Sequence, residues 1–220
     1  AVLSPLLANV YLHYVLDLWF EPDVKPRLDG EATMVRYADD FICTFELERD
    51  AHRFQEVLKK RLGRFSLELA EDKTKLLRFG RYAERETKRL DGQSPGTFDF
   101  LGFTHYCGHS RTGRFKLKRK TSSKKLRNKF ADLKEWLRHN LTQPIAEVWK
   151  TLNSKLRGHY QYYGINDNWP SLIKYQETAK RFAYRWICRR SQKGRISLRE
   201  YGAYLKRNPL AGPIRLTDLI

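Results

Sequence analysis

At 220 residues, 41% of them hydrophobic, the chain can bury a real core and is long enough for one large domain or two small ones. No apolar run approaches the ~20 residues a membrane helix needs, and the three cysteines, Cys43, Cys107 and Cys188, are too few and too scattered for a disulfide framework, which fits a reducing compartment. The net charge of +18 is uneven: residues 1–110 carry 16 Lys and Arg against 18 Asp and Glu, and residues 111–220 carry 27 against 7. An aromatic-rich half with that excess points to a polyanionic partner, because charge of this density self-repels without a counter-ligand.

Residues 5–20 read as a helix, with Ser4 as its cap and Pro5 in its first position. Apolar side chains cover most of its surface, which predicts burial against a sheet. Pro22, Pro26 and Gly30 mark a loop. Residues 33–37 and 41–45 read as paired strands bending at Ala38, Asp39 and Asp40. Residues 48–64 have the period of an amphipathic helix, with Phe54, Val57, Leu58 and Leu62 on one face. Short strands are expected near 66–70 and 75–79, followed by a polar loop over 80–97. Residues 98–106 and 114–118 read as another strand pair, turning between Gly108 and Gly113. This half is therefore α+β, an antiparallel sheet backed by helices.

From about residue 120 only helices are expected. Leu126, Phe130, Leu133 and Leu137 recur at helical spacing, as do Ile145, Val148, Trp149, Leu152, Leu156 and Tyr160 after Pro144. A third helix spans 171–189, capped by Ser171, and a fourth spans 197–206, ended by Asn208 and Pro209. The domain boundary is placed at 118/119.

The chemistry centres on Tyr37-Ala38-Asp39-Asp40. Two adjacent acids at a hairpin are either turn residues or ligands for a hard divalent cation such as Mg²⁺. Alternation along a strand lets at most one of them point straight into a site.

Other segments decide between these readings. Val2–Leu12 (VLSPLLANVYL), Tyr37–Phe41 (YADDF), Leu67–Lys75 (LELAEDKTK) and Phe98–Phe103 (FDFLGF) occur in one order. Together they resemble the later palm motifs of the group II intron reverse transcriptase–maturases. Residues 149–163 (WKTLNSKLRGHYQYY) and 185–194 (RWICRRSQKG) resemble that family's thumb/maturase (X) domain. The resemblance implies a partial reverse-transcriptase palm at 1–118 and an all-α basic bundle at 119–220. It implies an RNA-directed DNA polymerase and splicing maturase, with Mg²⁺ held by Asp39 and Asp40. Ser4, Pro5, Asn9, Tyr37, Lys73, Leu101 and Gly102 would meet template, primer or nucleotide. Lys118, Lys120, Lys124, Arg157, Arg185, Arg189 and Arg190 would contact RNA.

The implied partners are intron RNA, an RNA template with a DNA primer, and deoxynucleoside triphosphates, with no membrane. The expected compartment is bacterial cytoplasm or an organelle. The family's first catalytic aspartate and fingers have no counterpart, and the chain begins inside a motif. It is expected to be a C-terminal portion, enzymatic as part of the intact protein. The alternatives are a catalytically inactive RNA-binding maturase remnant, or one piece of a split enzyme completed by a separate N-terminal fingers chain.

Overall fold

The structure, a computed structural model, describes residues 3–90, 94–190 and 196–214. Ala1 and Val2 of the first motif, residues 91–93 of the expected loop and Ser191–Gly194 of the basic stretch lie outside the described residues. The chain divides into two compact units, Ala1–Leu77 and Arg78–Ile220.

The first unit opens on a helical path. Helix α1 (Leu3–Leu12) continues through π-helical turns at His13–Asp17 and Phe20–Val24 to a 3₁₀ turn at Lys25–Arg27. Pro22 has no N–H to donate, and the helix widens where it passes. Ser4 and Pro5 lie within the first turn of α1 and not at a cap. The expected burial holds only for the later half of this path. Val15, Leu16, Trp19 and Phe20 are buried, while Leu3, Leu6, Leu7 and Val10 stand between 49% and 65% exposed. The reason is lateral: helix α2 (Glu48–Arg64) supplies Phe54, Leu58 and Leu62 to a core shared with the π-helical stretch.

Strand β1 (Ala32–Tyr37) pairs antiparallel with β2 (Asp40–Phe45), Tyr37 lying opposite Asp40. Met34, Phe41, Cys43 and Phe45 pack against the core, and Val35, Tyr37 and Asp40 are exposed. Residues 66–70 and 75–79 do not form the expected strands. Leu67 and Leu69 do pack against the core. The alternation of apolar residues was a burial signal, and burial does not require ladder hydrogen bonds.

In the second unit, helix α3 (Ala83–Leu90) occupies part of the expected polar loop. Ala83 and Thr87, one turn apart, are buried, and the Thr87 hydroxyl donates to the Ala83 carbonyl at 2.7 Å. Glu84 and Glu86 at its start and Lys88 and Arg89 at its end match the helix dipole.

Strands β3 (Phe98–Phe100), β4 (Phe103–His109) and β5 (Phe115–Thr121) form an antiparallel sheet in chain order. The single strand expected over 98–106 is broken by a two-residue turn in which Leu101 and Gly102 both adopt positive φ, +50° and +80°. This is the backbone twist a two-residue hairpin favours.

Helices α4 (Ser123–His139), α5 (Ile145–Tyr163), α6 (Trp169–Arg189) and α7 (Leu198–Arg207) complete the unit. Their core includes Leu126, Leu133, Leu152, Leu156, Tyr160 and Leu172. Helix α6 starts two residues ahead of expectation, with Pro170 in its first turn. Ser197 and Glu200 form a reciprocal capping box at α7. No helix among the described residues is long and apolar enough to cross a membrane.

Candidate acidic hairpin and nucleic-acid interface

The acidic hairpin is built from a two-residue loop. Ala38 and Asp39 close the turn between Tyr37 and Asp40, and Ala38 sits at φ +54°. A residue with a Cβ is strained in that left-handed region by roughly 1 kcal/mol, so the turn needs external support. Arg36 supplies it. The Arg36 guanidinium donates to the Ala38 carbonyl at 2.9 Å and to Asn9 Oδ1 at 3.2 Å. It also grips Asp17 in a two-pronged ion pair, Nε to Oδ1 at 2.8 Å and Nη2 to Oδ2 at 2.6 Å. His13 Nδ1 lies 3.0 Å from Asp17 Oδ2 on the same carboxylate. One side chain therefore ties α1, the π-helical turn and the acidic loop together.

The electrostatics agree with that geometry. The Arg36 hydrogen bond holds the Asp17 carboxyl below its ordinary range against the opposing effect of burial, with His13 adding to it. Asp17 in turn raises Arg36 further above its already high value. Cys43, on the core side of β2, is pushed up to about 12 by burial, which removes it as a nucleophile.

Asp39 and Asp40 are exposed, and Tyr37 shares the outer face of the hairpin with Asp40. Mg²⁺ takes one or two protein carboxylates and fills its remaining positions with water and substrate phosphates. Two exposed hard-oxygen donors on one turn fit that demand. Among the described residues no group of three or more His, Cys, Asp or Glu is gathered that could hold an ion unaided.

The other candidates in the first unit are solvent-facing. Ser4, Pro5 and Asn9 are exposed along α1, Asn9 also accepting from Arg36. Lys73 is exposed at a turn whose amide donates to the Ala70 carbonyl at 3.0 Å.

In the second unit, Leu101 and Gly102 are held from both sides. Tyr162 Oη donates to the Leu101 carbonyl at 3.0 Å and the Ser122 amide to the Gly102 carbonyl at 2.9 Å. A Cβ on Gly102 would lie 2.8 Å from Tyr163 Oη, so close approach and positive φ both require glycine here. Behind this turn, Asn168 is fully buried. Its Oδ1 accepts from the Thr121 amide at 2.6 Å, and its Nδ2 donates to the Tyr163 carbonyl at 2.9 Å.

The basic candidates divide into free and engaged. On β5, the Lys118 side chain drapes over Gly108, and Lys120 Nζ sits 5.3 Å from the centroid of Tyr106. Lys124, Arg157, Arg185 and Arg189 are exposed on helices α4 to α6. Arg190 is turned inward instead: it stacks over Trp186 and donates to the Leu141 and Gln143 carbonyls, holding the α4–α5 loop.

Arg36, Asp17 and Asn168 carry the local architecture and were not singled out from the sequence. The available signal was Asp17, an acid set in an otherwise apolar helical stretch, since such a charge is retained where it has a partner.

A family model described as reverse transcriptase (RNA-dependent DNA polymerase) matches residues 1–105. A second, for the group II intron maturase-specific domain, matches residues 124–202. No curated protein matches the chain.

Proposed function

The chain belongs to the group II intron reverse transcriptase–maturases, and from that premise we propose that Asp39 and Asp40 are its polymerase carboxylates and that the basic second unit binds intron RNA. The observation that carries the first half is the acidic hairpin: two adjacent exposed carboxylates on a turn locked by Arg36.

Asp39 and Asp40 would hold Mg²⁺, and the chemistry it would supply there is activation of the primer 3′-oxygen and stabilisation of the leaving pyrophosphate. Arg36 keeps both carboxylates where the strained turn places them. Lys73 meets the phosphates of the incoming deoxynucleoside triphosphate, and Tyr37 presents a flat apolar face beside Asp40. Ser4, Pro5 and Asn9 on α1 lie along the template–primer duplex. The Leu101–Gly102 turn brings backbone close to the primer, which glycine permits. Lys118, Lys120, Lys124, Arg157, Arg185 and Arg189 contact RNA phosphates, and Arg190 positions the α4–α5 loop beside them. Three free cysteines fit a reducing compartment, a bacterial cytoplasm or an organelle interior.

The test is Mg²⁺-dependent extension of a DNA primer on an RNA template, beside Asp39→Ala/Asp40→Ala. The double variant is expected to lose at least about a hundredfold in rate. Extension that survives the double substitution overturns the carboxylate assignment.

A second reading, an RNA-binding maturase without polymerase activity, is favoured by the charge of residues 111–220, which needs a polyanion whatever the hairpin does. It is read by RNA binding across salt. Six phosphate contacts predict a log–log slope of about −4 to −5, at roughly 0.7–0.9 per phosphate neutralised. A folded chain that binds RNA with that slope and extends no primer settles on this second reading. A slope near zero overturns RNA binding through these side chains.

A further inference from the structure

Helices α4 and α5, with Tyr175 of α6, line an open cleft of about 540 Å³ that no part of the proposal above uses. Its size falls within the roughly 300–1,000 Å³ typical of ligand sites. Lys129 and Asp132 line it from α4, and Lys155, Gly158, His159 and Tyr162 from α5.

Three features make this a built site and not a packing fault. First, Tyr162 is a prepared platform. It is 57% exposed, its hydroxyl is fastened to the Leu101 carbonyl, and its ring stacks on Phe103 at an interplanar angle of 12°. Second, His159 is 6% exposed, and neither ring nitrogen has a hydrogen-bond partner. Both nitrogens are themselves closed to solvent, so the ring walls the cleft without offering an occupant a hydrogen bond. Burial and the nearby Lys129 charge hold the His159 pKa at about 4, so the ring is neutral. Tyr175, stacked on it at 3.9 Å between centroids, fixes its plane. Third, Gly158 leaves the wall open, for a Cβ there would meet nothing within 4 Å.

We propose that this cavity receives one unpaired nucleobase of a bound RNA strand, stacked beside Tyr162 with its flanking phosphates near Lys129 and Lys155. An unpaired base offers a π-face to the exposed tyrosine, and its strand brings the phosphates that the two lysines can meet. A duplex keeps its bases paired and stacked, so only a single-stranded or bulged nucleotide can enter. Two lysines against one aspartate favour an anionic strand over an acidic or neutral peptide segment. The inference rests on RNA binding by the second unit and adds where that unit reads an unpaired base.

The experiment measures fluorescence anisotropy of a short labelled single-stranded oligoribonucleotide and of the same strand in a duplex. The full chain is compared with Gly158→Leu, which fills the cavity, and with Tyr162→Ala, which removes the platform. Gly158→Leu enters open space in a helix and is expected to leave the melting temperature unchanged or raised. Both variants are expected to weaken single-stranded RNA binding by roughly 5- to 100-fold, the effect of losing one base–aromatic stack. Duplex binding stays within about twofold, because phosphate contacts dominate it. An abasic nucleotide at the captured position in the RNA reproduces the loss on the parent chain. A folded Gly158→Leu chain that binds single strands as the parent does overturns the pocket. Equal losses on single strand and duplex also overturn it, by showing a general electrostatic effect. A parent chain that binds neither RNA fails the underlying RNA-binding reading, a result distinct from both.

Discussion

Arg36→Met is expected to destabilise the first unit by about 2–3 kcal/mol, at or below the bottom of the roughly 3–5 kcal/mol range for breaking a buried ion pair, because Asp17 keeps 29% of its side-chain surface in water. The substitution removes the two-pronged bond to Asp17 and the bonds to Asn9 and to the Ala38 carbonyl together. With the last of these gone, the positive φ of Ala38 loses its clamp. The acidic loop is then expected to loosen more than the strands behind it. Hydrogen exchange of the β1 and β2 amides reads this locally, which matters because a chain of two compact units need not unfold in one step.

Arg36→Lys restores the charge but cannot make the fork to Asp17 and reach the carbonyl at once. It is expected to recover less than half of the loss. The pH dependence has a definite sign. The Asp17 carboxyl is depressed in the folded chain, so its contribution is complete above the unfolded value of about 3.9 and is lost as pH falls through the lower folded value. The gap between parent and Arg36→Met therefore narrows in acid, where Asp17 is protonated in both. A gap unchanged down to full protonation contradicts the ion-pair account. Protection of the acidic loop that Arg36→Met leaves intact contradicts the clamp.

Asn168→Ala is expected to cost the second unit about 2–3 kcal/mol. The site is fully buried, and the truncated side chain leaves the Thr121 amide without its acceptor, at about 1–3 kcal/mol, while the Tyr163 carbonyl keeps the Ile165 amide at 2.8 Å. It also empties the side-chain volume between β5 and the α5–α6 junction. Lys116 and Asp167, 3.2 Å apart at the same junction, do not compensate, because their part-buried ion pair bonds neither the Thr121 amide nor the Tyr163 carbonyl. Asn168→Asp keeps the acceptor but loses the donor to Tyr163 and buries a charge, so it is expected to be no milder. Urea unfolding followed by circular dichroism measures both. A loss under about 1 kcal/mol for Asn168→Ala means that relaxation or water re-satisfies the Thr121 amide.

By itself the sequence determined the α+β first half, the helical second half, the acidic turn and the family. Each of these is a local or ordered-motif property. Helix α2 is legible because Phe54, Leu58 and Leu62 repeat with the helix period and are buried in the structure. The hairpin is legible because β-rich runs flank two turn-forming acids. Charge asymmetry is a sum, and needs no fold at all.

Tertiary structure decided what depends on partners distant in the chain. Arg36 meets Asp17 across 19 residues and Asn168 meets Thr121 across 47, separations that no local period encodes. The same holds for what goes uncovered. The apolar period of α1 predicts a face to bury, but Leu3, Leu6 and Leu7 remain exposed because α2 and the β1–β2 hairpin share their core with the following π-helical turns. At Leu101 a leucine with positive φ broke a strand that its side chain favours, since Ser122 and Tyr162 hold the turn from outside. Arg190 looked like one more cation on a basic helix. Only the fold, by bringing the Leu141 and Gln143 carbonyls to it, turned it inward.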